Sequence, residues 1–293
     1  MVSILPQLII NGLIAGSVYA LAASGFALVY YVVRFKYFSQ GAILTIAAYL
    51  FFLFFNLLGL NYILAAILAV IGSVLAALIT NWLVYMPLRK RKATPTVMMI
   101  SSIALLIFSS SLMQSFFGSN TRAIRLNYNK TFDFEIFTIT GLQIAIIISA
   151  VSLFFLLWLI VKKTKLGKAM RAIADNKDVA QVVGINPEKI YSYAFAISAI
   201  LGGAGGILIG LEQNLYPRMG VIIIIKGFIS AVVGGLGSVP GSIVGGFFIG
   251  LVENLGIWHL NAGYKDVISF TVMLIFLLFR PQGILGVKLR DDY

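Results

Sequence analysis

Long apolar runs, separated by short segments that carry charges or prolines, make up nearly the whole chain. The first run extends from about Gln7 to Val33 without a charged side chain, and it ends at Arg34 and Lys36. A transmembrane helix needs about 20 predominantly apolar residues, and these runs approach or exceed that length, the last one only when its flanking residues are included. Eight more runs follow, over approximately residues 38–58, 62–86, 95–117, 136–161, 190–211, 219–236, 242–258 and 267–279.

This pattern predicts an all-α fold, a polytopic membrane helical bundle of about nine (eight to ten) transmembrane helices. Thr94-Pro95 and Asn186-Pro187 mark the start of two of them, because a capping side chain followed by proline is typical of a helix N-terminus. The chain shows neither an internal repeat nor a linker, so we expect one domain over residues 1–293.

Composition supports a membrane protein and excludes several other classes. Hydrophobic residues make up 60% of the chain and charged residues 11%, whereas soluble domains carry about 25% charged residues. The absence of cysteine excludes disulfides and thiolate metal sites, and the single histidine, His259, cannot form a metal site or a proton relay alone. We therefore expect neither a metal site nor a catalytic residue in this chain.

The distribution of basic residues predicts how the bundle is oriented. If the amino terminus lies outside and the spans alternate, 16 of the 22 Lys and Arg residues fall on the inner side. Inner loops of membrane proteins are enriched in these residues. We therefore expect the N-terminus outside and the C-terminus inside, and we attribute the net charge of +12 to the inner loops rather than to nucleic-acid binding.

Two ionisable residues, Lys226 and Glu253, lie within predicted spans. A charge at membrane depth is costly and normally faces a polar interior or a partner. The two side chains could pair with each other, or they could line an aqueous path. The alternative is a lysine that extends its ammonium group to the interface and a glutamate that lies near an interface.

Glycines recur at intervals of four residues in several spans. This spacing places small residues along one helical face and lets helix backbones approach closely in lipid. Tight packing explains most of these glycines, while a few could serve as hinges of a moving pore. The candidate packing or hinge positions are Gly12, Gly16, Gly202, Gly206, Gly235, Gly237, Pro240 and Gly241.

The longest strongly polar stretch, residues 162–189, lies on the predicted inner side. From Thr164 to Asn186, apolar residues recur at helical spacing, which predicts an amphipathic helix. Such a helix could lie flat on the membrane surface or could dock a cytoplasmic partner. Gly167-Lys168 lacks the upstream glycine and the following Ser or Thr of a phosphate-binding loop, so any ATP hydrolysis would need another subunit.

Five segments, in order along the chain, resemble the integral-membrane permease subunit of branched-chain amino acid ABC importers, the LivH type. The segments are Asn11–Leu13 with Gly16–Leu21, Gly167–Ala172 with Asn176, Ala180 and Gly184, Gly234–Gly241 followed by Gly245-Gly246, Tyr264–Asp266, and Arg280–Gly286. The resemblance covers about Gln7 to Gly286, nearly the whole chain. It implies a transport subunit for branched-chain or other apolar amino acids, not an enzyme.

The resemblance also implies partners and a location. A cytoplasmic ATPase would use ATP and magnesium, a second related permease would complete the pore as a heterodimer, and an extracytoplasmic binding protein would deliver the substrate. The chain itself would bind no cofactor, and it would lie in the bacterial cytoplasmic membrane. Residues 162–189 would form the cytoplasmic coupling loop, with the ATPase contacted by Gly167, Ala169, Arg171, Ala172, Asn176, Ala180 and Gly184.

A translocation path follows from the resemblance and from the charges within the spans. Its candidate residues are Asn11, Ser17, Ser39, Gln40, Lys226 and Glu253. One segment departs from the family, which usually has Asn-Phe-Ala-His-Gly where this chain has Tyr37-Phe38-Ser39-Gln40-Gly41. The glutamine keeps its hydrogen-bonding capacity but has no titratable proton, so a role of the histidine is not carried over. Related permeases carry urea or short amides, which leaves the substrate open.

Two other functional classes remain as alternatives. An ion-coupled secondary transporter would need carboxylates within its spans, and this chain has few, chiefly Glu253. A membrane scaffold without a transport role would not need glycine-rich spans or buried charges. Co-purification of an ATPase and a sister permease would favour the importer, whereas ATP-independent uptake by this chain alone would favour the secondary transporter.

Overall fold

The computed structural model describes residues 4–124, 131–134, 137–258 and 260–286. Most of them are helical. The helices are α1 (Ile4–Val33), α2 (Gln40–Phe52), α3 (Tyr62–Thr80), α4 (Met86–Lys90), α5 (Pro95–Phe117), α6 (Gly141–Lys163), α7 (Lys165–Asp175), α8 (Lys177–Val182), α9 (Pro187–Gln213), α10 (Met219–Gly234), α11 (Val239–Gly256) and α12 (Lys265–Phe279). π-Helical turns at Leu53–Leu57 and Asn81–Tyr85 extend α2 and α3, and a 3₁₀ turn at Ala262–Tyr264 precedes α12.

Seven helical segments within the described residues are long and apolar enough to cross a membrane. They start at Ile4, Gln40, Tyr62, Pro95, Gly141, Pro187 and Val239. Helix α10 is apolar but shorter, with 16 residues, and α12 has 15. Each of the nine apolar runs of the sequence therefore corresponds to a helix, and seven of these helices have the length of a full span.

A small hairpin departs from the predicted all-α class. Strand β1 (Thr131–Phe134) pairs antiparallel with β2 (Phe137–Thr140), and the fifth apolar helix begins at Gly141 rather than near Ile136. The physical reason is a capping box, in which Thr140 accepts from the Gln143 amide and the Gln143 side chain accepts from the Thr140 amide. The helix therefore begins after Thr140, and the residues before it form β2 instead.

The two predicted helix starts are confirmed. The Thr94 hydroxyl accepts from the amide of Val97 at the start of α5. The Asn186 side chain accepts from the amides of Glu188 and Lys189 at 3.0 and 3.3 Å at the start of α9. Both contacts satisfy donors that a helix N-terminus leaves without an intrahelical partner.

Helix α1 lies at the centre of the bundle, packed mainly against α11, α9 and α10. Glycines make its contact with α11 close: a Cβ added at Gly12 would lie 3.0 Å from the Cα of Leu251, and one at Gly16 would lie 2.9 Å from that of Phe247. Gly246 and Gly250 of α11 face the α1 backbone in return. The four-residue glycine spacing therefore serves helix packing along this seam.

Three of the other candidate glycines have different surroundings. Gly206 lies against the backbone of Leu44, which is again packing. Gly235 and Gly237 adopt φ of +117° and +86° in the turn between α10 and α11, a conformation that glycine accommodates best. Pro240 and Gly241 follow in the first turn of α11.

The two ends of the bundle have different contents. At one end, which we call the α1-start end, Gln7 of α1 accepts from the Thr138 amide of β2, and the backbones of Arg122 and Leu215 pair. At the opposite end, the α7–α8 end, Arg34 donates to the carbonyl of Ala174. The outer surfaces of α3, α6 and α12 expose large apolar side chains between these ends, as expected for surfaces that contact lipid.

Candidate functional site

A buried ionic cluster joins three helices near the α1-start end. The Lys226 ammonium of α10 lies 2.5 Å from a Glu253 oxygen of α11, 2.7 Å from Asp266 and 2.8 Å from the Ser269 hydroxyl, the last two on α12. Lys226 is 4% exposed and Glu253 1% exposed. Of the alternatives that the sequence left open, the structure shows Lys226 paired with Glu253, and the buried ammonium does not extend to an interface.

Further hydrogen bonds attach the cluster to the central helix. The Tyr19 hydroxyl of α1 donates to the second Glu253 oxygen at 3.0 Å, and the Ser269 hydroxyl also contacts Glu253. A buried ion pair is tolerated when its charges are compensated and its remaining polar atoms are hydrogen-bonded. The cluster meets both conditions and connects α1, α10, α11 and α12.

A polar cavity of about 280 Å³ opens beside this cluster, at the same end of the bundle. Helices α1, α6, α9, α11 and α12 form its walls. Its lining residues are Asn11, Ile14, Ala15, Val18, Tyr19, Gln143, Ile209, Glu212, Gln213, Asn254 and Lys265. Tyr19 belongs to both places, because its ring lines the cavity while its hydroxyl bonds to Glu253 of the cluster.

Two opposite charges of the cavity wall are not paired with each other. The side-chain amide of Gln143 donates to the Glu212 carboxylate at 3.1 Å. The Lys265 ammonium donates to the side-chain oxygen of Asn254 at 3.3 Å. Neither charged group has an opposite charge within 4.0 Å in the part of the chain that the structure describes. The cavity therefore offers one anionic and one cationic group to a bound molecule.

The residues predicted for a translocation path do not form one site. Asn11 lines the cavity, whereas the Ser17 hydroxyl is bonded to the Leu13 carbonyl of its own helix. Ser39 bonds to the Tyr85 hydroxyl at 2.6 Å near the α7–α8 end. Lys226 and Glu253 belong to the ionic cluster and do not line the cavity.

Gln40 occupies a separate, fully buried place. Its side chain fits between Gly25 of α1 and Gly202 of α9, and its amide nitrogen and oxygen have no partner among the described residues. The nearby hydroxyl of Ser198 is also without a partner there. The position where the family usually has histidine is thus enclosed by glycines and holds an unsatisfied amide.

Sequence reasoning missed Glu212, Lys265 and Gln143 as site residues. Gln143 lies within the run 136–161, Glu212 directly follows the run that ends at residue 211, and Lys265 belongs to one of the family-like segments, so none of the three was predicted to line a site. Only the packing of α6, α9 and α12 around α1 brings the three side chains to one cavity. The sequence signal for Gln143 was the Thr140-to-Gln143 capping spacing, which indicates a helix start rather than a site.

The predicted coupling segment folds as two helices, not one. Asn176 ends α7 and caps α8 by accepting from the amides of Asp178 and Val179, so the single amphipathic helix from Thr164 to Asn186 is wrong. Gly167 packs directly on the carbonyls of Ile160 and Val161, with no room for a side chain. Residues 162–189 thus make a compact helix pair at the α7–α8 end.

The side chains of the coupling segment divide into anchored and exposed groups. The Arg171 guanidinium donates to the Val161 carbonyl of the same chain, and Ala180 is buried. Helix α8 and the turn after it expose three apolar side chains, those of Val179, Val182 and Val183, with Val182 87% exposed. Gly184 follows with φ of +86° and ends this exposed surface. Ala169 and Ala172 are partly buried and pack against the apolar cluster that includes Met170, Ile173 and Ala180.

The single histidine, His259, lies outside the described residues. Among those that are described, no group of three or more His, Cys, Asp or Glu side chains could hold a metal ion.

Solved structures of other proteins support the fold. The PsaBC complex from Streptococcus pneumoniae with a Fab contains a chain that superposes with a TM-score of 0.53, covering 93% of this chain and 91% of that one. The sequences are 13% identical, so this likeness concerns the fold alone.

Sequence relatives are closer. The permease protein BraD of Pseudomonas aeruginosa, from a high-affinity branched-chain amino acid transport system, is 31% identical over 96% of this chain and 95% of its own length. LivH of Escherichia coli shows the same identity and coverage, and a probable LivH of Methanocaldococcus jannaschii is 30% identical over 96% of this chain and 93% of its own. The family model described as the permease component of branched-chain amino acid transport systems matches residues 8–277. This multi-pass membrane protein therefore belongs to the family of branched-chain amino acid transport permeases.

Proposed function

We propose that this chain is the membrane-spanning subunit of an ATP-binding cassette importer for branched-chain or other apolar amino acids. The observation that carries the proposal is the similarity to BraD and LivH permeases over 96% of the chain. The absence of a phosphate-binding loop is consistent with it, because ATP and magnesium would be bound by a separate cytoplasmic ATPase. An extracytoplasmic binding protein would deliver the substrate.

The orientation assigns the two ends of the bundle. With nine spans and the amino terminus outside, the α7–α8 end would face the cytoplasm of a bacterial inner membrane, which agrees with the sequence-based assignment of 16 of the 22 basic residues to the inner side. The polar cavity at the α1-start end then opens to the outside, where the binding protein would release its substrate. The translocation path would run inward from there.

The helix pair α7–α8 is the proposed contact with the ATPase. Its exposed valines form an apolar surface that needs a partner, since exposed apolar patches mark interaction sites. Gly167, Arg171 and Asn176, which are among the predicted ATPase contacts, also shape and anchor this surface through contacts within the chain. Arg34 ties the pair to the end of α1, so movement of the ATPase would reach the central helix.

A second, related permease would complete the pore as a heterodimer. Helices α3, α6 and α12 expose enough apolar surface for lipid and a partner subunit together. The path between the subunits would then lie along one face of the bundle. The buried Gln40 would lie behind that face, inside the bundle.

Reconstitution tests the proposed function. The chain is co-expressed with its sister permease and ATPase subunits, and ATP-dependent uptake of leucine and of urea is measured in proteoliposomes with the cognate binding protein. We expect leucine uptake that requires ATP. ATP-independent uptake by the chain alone would refute the importer assignment, and ATP-dependent uptake of urea without leucine would refute the substrate.

A pair of variants at α8 tests the ATPase contact. Val182→Asp places a charge in the exposed apolar surface, and we expect uptake to fall at least about tenfold because the charge must be desolvated at the interface. Val182→Thr, which keeps the shape, is the matched control and should retain most of the uptake. Equal uptake by both variants and the wild type would exclude this surface from coupling.

A further inference from the structure

We propose that the polar cavity at the α1-start end binds one free amino acid as a zwitterion, with Glu212 holding the ammonium group and Lys265 the carboxylate. This inference rests on the proposed function and specifies where the bundle first receives its substrate. It goes beyond that function because it assigns a binding site, and a charge requirement, to Glu212 and Lys265.

The charges of the wall carry the inference. Glu212 and Lys265 are both partly buried and line one cavity, yet each is bonded to a neutral amide side chain rather than to an opposite charge. In the nearby ionic cluster, by contrast, opposite charges contact each other directly. A zwitterion would compensate both wall charges at once, which a neutral amide or urea would not.

The amides orient these charges before anything binds. Gln143 is fixed by its own capping box at the start of α6 and donates to one oxygen of Glu212. Asn254 is held through its amide nitrogen by the Gly250 carbonyl, and its oxygen accepts from Lys265. Groups that are positioned in advance lose less conformational entropy on binding.

The remaining wall is apolar and suits an aliphatic side chain. Ile14 and Val18 of α1 and Ile209 of α9 are buried residues that border the cavity beside the charges. Ligand sites commonly combine an apolar wall with a few polar groups that fix orientation. A charged amino acid side chain would find no partner against these three residues.

The size of the cavity limits the occupant. Its volume of about 280 Å³ is many times the roughly 10–15 Å³ needed by one water molecule on this measure. It lies just below the range of about 300–1,000 Å³ that is usual for drug-sized ligands. A cavity of this size has room for a small ligand such as a single amino acid.

A cysteine protection experiment tests the proposal, because the chain has no cysteine of its own. Ala15→Cys in the cavity wall reports on occupancy through its rate of modification by the small, uncharged reagent methyl methanethiosulfonate. Gln213→Cys is a second reporter in case the first perturbs α1, and Ser119→Cys, exposed at the same end, is the control. The full chain is used in nanodiscs, with any subunits that co-purify.

The ligand series separates the two charges. We expect leucine to slow modification of Ala15→Cys at least about fivefold and to leave Ser119→Cys unchanged. Leucinamide lacks the carboxylate and 4-methylpentanoate lacks the ammonium, so each should protect at concentrations about tenfold higher, the effect of one charged hydrogen bond. Urea should not protect.

Charge variants then assign the partners. In Glu212→Gln, leucine should protect the cysteine only at the concentrations that 4-methylpentanoate needs in the protein with Glu212. In Lys265→Gln, leucine should need the concentrations that leucinamide needs in the protein with Lys265. Asp133→Asn and Arg218→Gln remove exposed charges at the same end and should leave protection unchanged.

The outcomes distinguish this proposal from the proposed function. No protection by leucine in either reporter, or protection that both charge variants leave unchanged, would overturn the cavity site, while ATP-dependent leucine uptake would still support the function. Protection by urea instead of leucine would overturn the zwitterion requirement. Protection that follows the predicted pattern of ligands and variants would establish the site.

Discussion

The ionic cluster and the polar cavity lie side by side and treat charge in opposite ways. In the cluster, Lys226 contacts the carboxylates of Glu253 and Asp266 directly. The side chains of Lys226 and Glu253 are almost fully buried. In the cavity, Glu212 and Lys265 face a shared open space and bond only to neutral amides. Tyr19 contributes to both.

The difference teaches how to distinguish structural from functional charges within a membrane domain. Compensated charges on packed helices fix the positions of those helices, and removing one charge leaves its partner buried and unpaired. Replacing an uncompensated charge on a cavity wall should lower the free energy of unfolding less, because water still reaches the charge and no buried partner is left unpaired. The predictions below test this distinction through the free energy of unfolding, beginning with the largest effect.

The largest expected effect is the loss of Lys226. Lys226→Met leaves the Glu253 carboxylate buried without its cation, so we expect the free energy of unfolding to fall by about 3–5 kcal/mol. The double variant Lys226→Met/Glu253→Gln removes both charges and should recover most of this loss. Titration with sodium dodecyl sulfate in mixed micelles measures both values.

The double variant is the decisive control. If it were as unstable as Lys226→Met alone, the loss would come from packing around the lysine stem rather than from an uncompensated carboxylate. The contrast between cluster and cavity would then not rest on charge.

The second prediction concerns the glycine seam that brings Tyr19 to the cluster. A side chain at Gly250 would overlap the backbones of Gly12 and Gly16, so Gly250→Val must push α1 away from α11. We expect a loss of about 1–3 kcal/mol, the usual cost of overpacking. Gly263→Val is the matched control, because a Cβ there meets nothing within 4 Å. Equal stability of the two variants would mean that the seam is not closely packed.

Much of the fold could be predicted from the sequence because helices in lipid must satisfy their own backbone hydrogen bonds. Apolar run length and the caps at Thr94 and Asn186 therefore placed most helices within a few residues. The strand before Gly141 was missed, because Phe137–Thr140 carries no charge and was read as part of the apolar run that follows it, although its alternating Phe-Thr-Ile-Thr pattern is typical of a strand. The break at Asn176 was missed because helical periodicity persists across it.

The site was harder to predict for a different reason. The pairing of Lys226 with Glu253 was predictable because two charges of opposite sign at membrane depth have few other partners. The cavity was not, since Asn11, Gln143, Glu212 and Lys265 come from four helices distant in sequence. Polarity at a helix end indicates an interface, and only the packing of the helices shows that these ends face each other.

A smaller effect is expected at the exposed edge of the cluster. The Asp266 side chain lies 2.7 Å from Lys226 but is 68% exposed, so solvent already screens this pair. Asp266→Asn should lower the free energy of unfolding by about 1 kcal/mol or less, and the difference should shrink as salt is added. A loss as large as that of Lys226→Met would show that Asp266, rather than Glu253, compensates the lysine.

The smallest effect on stability is expected at the cavity itself. In Glu212→Gln the new side-chain oxygen can still accept from Gln143, and no cation among the described residues loses a partner. We therefore expect the free energy of unfolding to change by no more than about 0.5 kcal/mol, as at an ordinary surface position. The same titration used for Lys226→Met measures it under identical conditions. A loss approaching that of the cluster variants would mean that Glu212 holds the fold together, and the cavity charges would then belong to the same structural class as Lys226 and Glu253.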